Sequence, residues 1–193
     1  MDSLWQKATA LRIRYDKSRD RNNIDDAISL YRQVLDLLPP SHPKRDAAVK
    51  WLGYALYTRF EQCGDSDDLQ EAIAFQRQAL ELRPSSHPQH SVSLGELIRS
   101  LTTRFERYGK RDDLEEAIRL IREVLELHHP GHSKRSRSLN NLANAVQARF
   151  EQYGKHEDLE EAIVLQREAL ELCPPGHPDR TMSLNNLANA AHI

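Results

Sequence analysis

The sequence predicts an all-α fold, a solenoid of antiparallel helix pairs with about nine helices. Three observations carry that expectation. First, Arg149-Phe150-Glu151 followed by Asp158-Leu159-Glu160-Glu161-Ala162-Ile163 recurs 45 residues earlier as Arg104-Phe105-Glu106 and Asp113-Leu114-Glu115-Glu116-Ala117-Ile118. It recurs again as Arg59-Phe60-Glu61 and Asp68-Leu69-Gln70-Glu71-Ala72-Ile73, and in worn form as Arg14-Tyr15-Asp16 and Asn23-Ile24-Asp25-Asp26-Ala27-Ile28. A period of this size marks stacked supersecondary units whose cores are completed by their neighbours. Second, apolar residues inside each copy follow the i, i+3, i+4, i+7 spacing of an amphipathic helix. Third, glycines and prolines fall at fixed places between the apolar runs, where helices stop and start.

Taken in order, the copies occupy about 1–42, 43–87, 88–132 and 133–177, with a partial fifth at 178–193, so that 1–193 reads as a single array. The first helix of each copy, helix A, carries Leu4, Lys7, Ala8, Leu11, Tyr15, then Val49, Leu52, Gly53, Leu56, Phe60. The third and fourth copies give Leu94, Leu97, Ile98, Leu101, Phe105 and Leu139, Leu142, Ala143, Val146, Phe150. Helix A should stop at Gly64, Gly109 and Gly154, where glycine closes the helix in a left-handed conformation without a Cβ clash. Arg19 stands there in the first copy and predicts a looser exit.

The second helix, helix B, opens on Asp68-x-x-Glu71, Asp113-x-x-Glu116 and Asp158-x-x-Glu161, with Asn23-x-x-Asp26 as a weaker form. That spacing predicts an Asp N-cap with a Glu reaching back to it. Its apolar stripe in the fourth copy is Leu159, Ala162, Ile163, Ala169 and Leu170. Pro39-Pro40, Pro84, Pro130 and Pro174-Pro175 end it, and Pro43, Pro88 and Pro178 stand where the next helix A is expected to begin. The small Ala27, Ala72, Ala117 and Ala162 let helix B approach its neighbours closely. The last residues, Asn189-Ala190-Ala191-His192-Ile193, break off in a helix with two readings, a piece cut from a longer array or a terminal cap, and its continued match to the repeat favours the first.

Composition narrows the function. Charged residues make up 29% of the chain, the mean hydropathy is -0.70 and the formal net charge is -2. That polarity suits an elongated stack, and that charge gives no general attraction to nucleic acid or anionic membranes. No apolar run approaches the ~18 residues of a membrane span. Met1 to Tyr15 has the arginines and amphipathicity of a presequence, but Leu4, Ala8, Leu11 and Arg14 already keep the register of the repeats. Cys63 and Cys173 occupy different repeat positions and read as reduced thiols of a cytoplasmic chain.

No Gly-rich phosphate loop, nucleophile motif or zinc helix is present, so neither an enzyme nor a cofactor is expected. His42, His87, His132 and His177 recur one per loop, about a repeat apart, too far to share an ion at ~2 Å bonds. Loop packing and capping is the better account of them. His128, His129 and His132 cluster, as do His87 and His90, yet no thiol or carboxylate is patterned with them, so no metal is expected. The columns Arg14, Arg59, Arg104, Arg149 and Arg32, Arg77, Arg122, Arg167 face a matching supply of Glu and predict ion pairs between repeats. The basic stretch at 12–21 is diluted by Asp16 and Asp20, and with Lys134, Arg135 and Arg137 falls short of a phosphate-binding surface.

These residues resemble the tetratricopeptide repeat family. The family's small residue in helix A, alanines in helix B and closing proline fall here on Ala143, Ala162, Ala169 and Pro174, and on Gly53, Ala72, Ala79 and Pro84. The period is longer than the usual ~34 residues, so helix A and both loops are extended. Leu139-Asn140-Asn141-Leu142-Ala143 and Gly176-His177-Pro178-Asp179 are similar to the kinesin light chain branch, and the 45-residue form is similar to fungal arrays. Such arrays are often joined to caspase-like protease or nucleotide-binding signalling domains.

The resemblance implies a right-handed superhelix whose A helices line a concave groove for a peptide or a partner helix. Carried over residue by residue, that face lies one position after the core stripe: Trp5, Thr9 and Arg12; Lys50, Tyr54 and Tyr57; Gly95, Arg99 and Thr102; Asn140, Asn144 and Gln147; Asn185, Asn189 and His192. Along the chain the core columns hardly change, while this face passes from aromatic and cationic to amide-rich. Amides offer a donor and an acceptor to a peptide backbone, and Tyr, Trp and Arg suit anchoring contacts. The family's chaperone-tail clamp is broken, since Tyr54 follows Lys50 and Gly95 precedes Arg99. The expected function is a non-catalytic protein-interaction scaffold. The alternatives are a regulatory arm of a larger signalling protein and a structural array that self-associates through its ends.

Overall fold

The computed structural model describes residues 2–191, and among them every regular element is a helix. In order these are α1 (Asp2–Ser18), α2 (Arg21–Leu37), α3 (Arg45–Cys63), α4 (Ser66–Glu81), α5 (His90–Tyr108), α6 (Arg111–Leu127), α7 (Arg135–Tyr153), α8 (His156–Glu171) and α9 (Arg180–Ala191). Odd-numbered helices are the expected A helices and even-numbered ones the B helices. The chain forms two compact units, one to Ser100 and one from Leu101, taken separately below.

In the N-terminal unit α1 packs on α2, α2 on α3 and α3 on α4. The apolar stripes meet there, and Ile24, Tyr31, Leu52, Leu56, Phe60 and Leu69 are sealed from solvent. Burying each such side chain stabilises by about 1.5–3 kcal/mol. Gly53 is small for a reason: a Cβ there would come within 3.3 Å of Gln76 Cγ and Phe75 Cβ on α4. In the C-terminal unit α6 packs on α7, α7 on α8, and α9 on both α8 and α7. Leu114, Ala117, Leu139, Leu142, Ala143 and Val146 fill its interior. Lys7, placed on the core stripe by its spacing, is exposed.

The A-helix stops fall at the expected glycines. Gly64, Gly109 and Gly154 have φ of 71, 65 and 69°, and each N–H closes 2.7 Å from the carbonyl of Phe60, Phe105 or Phe150. The first copy differs from expectation. Arg19 itself takes the left-handed conformation, φ 55°, with the same 2.7 Å closure onto Tyr15 O. Its guanidinium lies over the Tyr15 ring at 5.4 Å, and its carbonyl accepts from Gln62 Nε2, so the exit is as tight as the glycine ones.

The expected N-caps are corrected. The N-cap of helix B lies three residues earlier, and Asp20 and Asp65 cap α2 and α4 by accepting the N–H two residues on. Lys110 and Lys155 hold the N-cap positions of α6 and α8 without a side-chain cap. Asp68, Asp113 and Asp158 lie inside the first turn, buried, because an arginine claims each of them. Arg59 grips Asp68 through two bonds of 2.7 and 2.5 Å and reaches Asp25 of the preceding repeat at 2.9 Å. Arg149 does the same with Asp158 at 2.8 and 2.7 Å and with Glu115 at 2.8 Å, and Arg104 grips Asp113 at 2.6 Å twice. Forked, charge-assisted pairs of this kind are the stronger ion pairs. Arg59 and Arg149 are held more firmly protonated than usual, through bonds to Asp68 and Asp158 first. Arg32 pairs with Glu71 and Arg122 with Glu161, linking B helices of successive repeats.

At the other end of each repeat the loop is tied twice. Nδ1 of His42, His87, His132 and His177 accepts the backbone N–H two residues on, 3.1 Å in all four. Arg45, Arg135 and Arg180 donate to the carbonyls of Leu38, His128 and Cys173, at 2.7, 2.9 and 2.6 Å. His90 takes that place in the third copy, its Nδ1 2.6 Å from Arg83 O. Helix A begins at these residues, two after Pro43, Pro88 and Pro178, so those prolines shape the turn and are not its first helical residues.

Candidate functional site

In the N-terminal unit a largely half-buried set of aromatic and cationic side chains joins α1, α3 and the first half of α5. The Arg12 guanidinium lies 4.1 Å from the Trp51 ring centroid and 6.0 Å from that of Tyr54. Lys50 Nζ lies 4.7 Å from the same Trp51 ring and 3.6 Å from Glu96 on α5. Trp51 and Tyr54 meet edge to face at 5.7 Å, and Arg99 of α5 lies 4.4 Å over Tyr57. Arg12 also pairs with Asp16 at 2.9 Å. Cations held over ring faces gain about 0.5–2 kcal/mol each and stay oriented. Burial pushes the Glu96 carboxyl above the usual range, with Lys50, Arg83 and Arg99 opposing it.

The face is therefore built from Arg12, Lys50, Tyr54, Tyr57 and Arg99 as the register implies, with two qualifications. Tyr57 is only 3% exposed and lends its ring to Arg99 and Phe60 more than to solvent. Trp5 turns inward, edge to face with Tyr31 at 5.7 Å and against Val34, Leu38 and Ala48. Thr9 is half-buried, and Gly95 is exposed with nothing within 4 Å of a Cβ placed on it. Trp51 and Glu96 belong to the cluster and were missed. Their repeat position reads Gln6, Trp51, Glu96, Asn141, Asn186, as changeable as any on the face. A scan of variability across the copies, in place of a fixed offset from the core, would have found them.

The C-terminal unit presents amides. Asn144, Asn185 and Asn189 are exposed, and Gln147 is half-buried with Nε2 donating to Glu151 at 2.9 Å. Thr102 is half-buried on the part of α5 in this unit. Asn140 is the correction: 1% exposed, it donates to Ser136 O at 3.0 Å and to Ser183 Oγ on α9 at 2.9 Å. The equivalent serine of the N-terminal unit, Ser93, is taken by Arg83 Nη1 at 3.2 Å, so Lys50, at the position of Asn140, remains on the face. Position 173 carries a cysteine in place of that arginine, which leaves Ser183 for Asn140. His192 lies outside the described residues.

Among the described residues no three His, Cys, Asp or Glu side chains are grouped to hold a metal ion. No helix among them is long and apolar enough to cross a membrane. Cys63 is exposed and Cys173 buried, both free.

Comparison with known proteins agrees with the repeat geometry. Two tetratricopeptide repeat models match, at residues 19–87 and 135–179, together more than half of the chain. Among solved structures, nearly identical TPR-like repeats of a kinesin-light-chain-like protein from Podosopora anserina superpose with a TM-score of 0.68 at 24% identity, over 98% of this chain and 86% of that one. MamA from Desulfovibrio magneticus superposes with a TM-score of 0.56 at 16% identity, over 96% of this chain and 94% of that one. At these identities the likeness concerns the fold. No curated protein matches the chain.

Proposed function

Because the chain belongs to the tetratricopeptide repeat family, whose repeats generally serve as non-catalytic frames for protein contacts, we propose that it is an interaction scaffold that binds a peptide or partner helix along its A-helix faces. The observation that carries this is the pairing of a constant frame with changing faces. The arginine forks, glycine stops and histidine loops repeat nearly unchanged, while the A-helix side chains at matched positions do not. Arg12, Lys50, Trp51, Tyr54 and Arg99 of the N-terminal unit offer anchoring contacts, and Asn144, Gln147, Asn185 and Asn189 of the C-terminal unit offer amides to a peptide backbone. The free cysteines suit a cytoplasmic setting.

The test is photo-crosslinking in extract of the source organism, with a benzophenone residue at position 54 or 144 and, as control, at exposed Val164 on the B face. Adducts with the same partner from 54 and 144, absent from 164, support the reading. Equal labelling from 164 removes it. Self-association is the second reading. Leu184 on α9 is 44% exposed, whereas its counterparts Leu94 and Leu139 are fully buried. Light scattering should then show mass rising with concentration, and Leu184→Glu should abolish the rise.

A further inference from the structure

A cavity of about 350 Å³ opens at the loop edge of the N-terminal unit, away from the A-helix cluster, lined by Pro40, Ser41, His42, Pro43, Arg45, Asp46, Leu82 and His87. We propose that it is an oxyanion site that takes a phosphate group.

The first reason is an uncompensated cation. Arg45 and Arg135 occupy the same repeat position and tie the same loop carbonyl. Arg135 spends its remaining donors on Glu168, Nε at 3.2 Å and Nη2 at 2.8 Å. The residue matching Glu168 in the earlier repeat is Gln78. Accordingly Arg45 bonds only to the carbonyls of Leu35 and Leu38, at 3.4 and 2.7 Å, and no carboxylate among the described residues pairs with it. Its Nε and Nη2 remain to donate.

The second reason is the direction of the imidazole protons. Nδ1 of His42 accepts from Lys44 N–H and Nδ1 of His87 from Gln89 N–H. An imidazole that accepts at Nδ1 carries its proton on Nε2. Both lining histidines are thereby fixed as Nε2 donors, and the Ser41 hydroxyl adds another. The one acid in the lining, Asp46, accepts through Oδ2 from the buried Arg83 Nε at 3.1 Å, so that its charge is paired. Arg45, two imidazoles and a hydroxyl, from two successive loops and a helix start, supply the donors and the cation that phosphate oxygens accept from. Pro40, Pro43 and Leu82 leave an apolar margin for whatever bears the phosphate.

The test is NMR of the imidazole nitrogens in the intact chain during titration with inorganic phosphate, against chloride at matched ionic strength. Saturable shifts are expected for His42 and His87, and not for His132 and His177. Gln78→Glu restores the carboxylate that Arg135 enjoys. It should weaken phosphate binding by about tenfold or more without lowering the unfolding midpoint, which Arg45→Gln could not guarantee. No saturable shift, four histidines responding alike, or undiminished affinity in Gln78→Glu would each overturn the proposal. Repeating the titration with O-phosphoserine separates the sources. Tighter binding than free phosphate assigns a phosphorylated side chain, and equal or weaker binding assigns the free ion.

Discussion

The two units share a frame and differ in what they display on it. Arg59 and Arg149 make the same fork, to Asp68 and Asp158, and reach back to the same place in the preceding repeat. Yet the A-helix side of the first unit gathers Arg12, Lys50, Trp51 and Tyr54 into stacked contacts, while that of the second carries Asn144, Asn185 and Asn189. The difference teaches that the repeated motif builds the frame and that the two units diverge at positions the motif leaves out.

The largest effect should come from what is common to both units. Arg59→Ala and Arg149→Ala each leave a buried aspartate without its cation, at a cost of about 3 kcal/mol. Tryptophan fluorescence reports the first unit alone, since Trp5 and Trp51 both lie there, and far-UV circular dichroism reports the whole chain. A large loss for one arginine and a negligible one for the other would break the shared frame.

Next comes the matched pair that behaves differently. Asn140→Ala removes two buried hydrogen bonds, to Ser136 O and Ser183 Oγ, costing about 1–3 kcal/mol, whereas Lys50→Ala costs about 1 kcal/mol or less. Urea unfolding of the two variants measures the difference. Equal losses would mean that Lys50 is as structural as Asn140.

The smallest effect concerns pH. Burial, helped by His132 and Lys134, holds the His128 imidazole below its ordinary value of 6.5. The folded chain then binds fewer protons there than the unfolded one, so stability is full above about pH 6.5 and declines as pH falls through the folded-state value. Leu38, at the same repeat position in the first unit, has no such group. Acidification from pH 7 to about pH 5 should lower the circular dichroism midpoint, and His128→Leu should remove that contribution.

Much of the frame was legible because its determinants are local. The spacing of Leu52, Leu56 and Phe60 sets a helix face, and a glycine at 64, 109 or 154 sets the stop whatever surrounds it. Asp68 was misread as a cap because a cap and an acid one turn in differ only by which partner arrives, and Arg59 comes from nine residues away. Arg19 was misread because the stacking on Tyr15 that accompanies its left-handed turn is a tertiary contact. The face was legible as a column, but not in its details. Whether a side chain at that position stays outside depends on the next repeat, as Asn140 and Lys50 show through Ser183 and Ser93. The turn of Trp5 onto Tyr31 likewise depends on what the second helix offers.

The central claim is that recognition sits on the A-helix faces and not on the repeated frame. The most direct measurement is the affinity of a crosslinked partner, once isolated, for the chain carrying Tyr54→Ala with Asn144→Ala, against the chain carrying Val164→Ala on the B face. The account predicts affinity lowered by about tenfold or more in the first and unchanged in the second, both with intact circular dichroism. Unchanged affinity in the double variant, with the fold preserved, would contradict it.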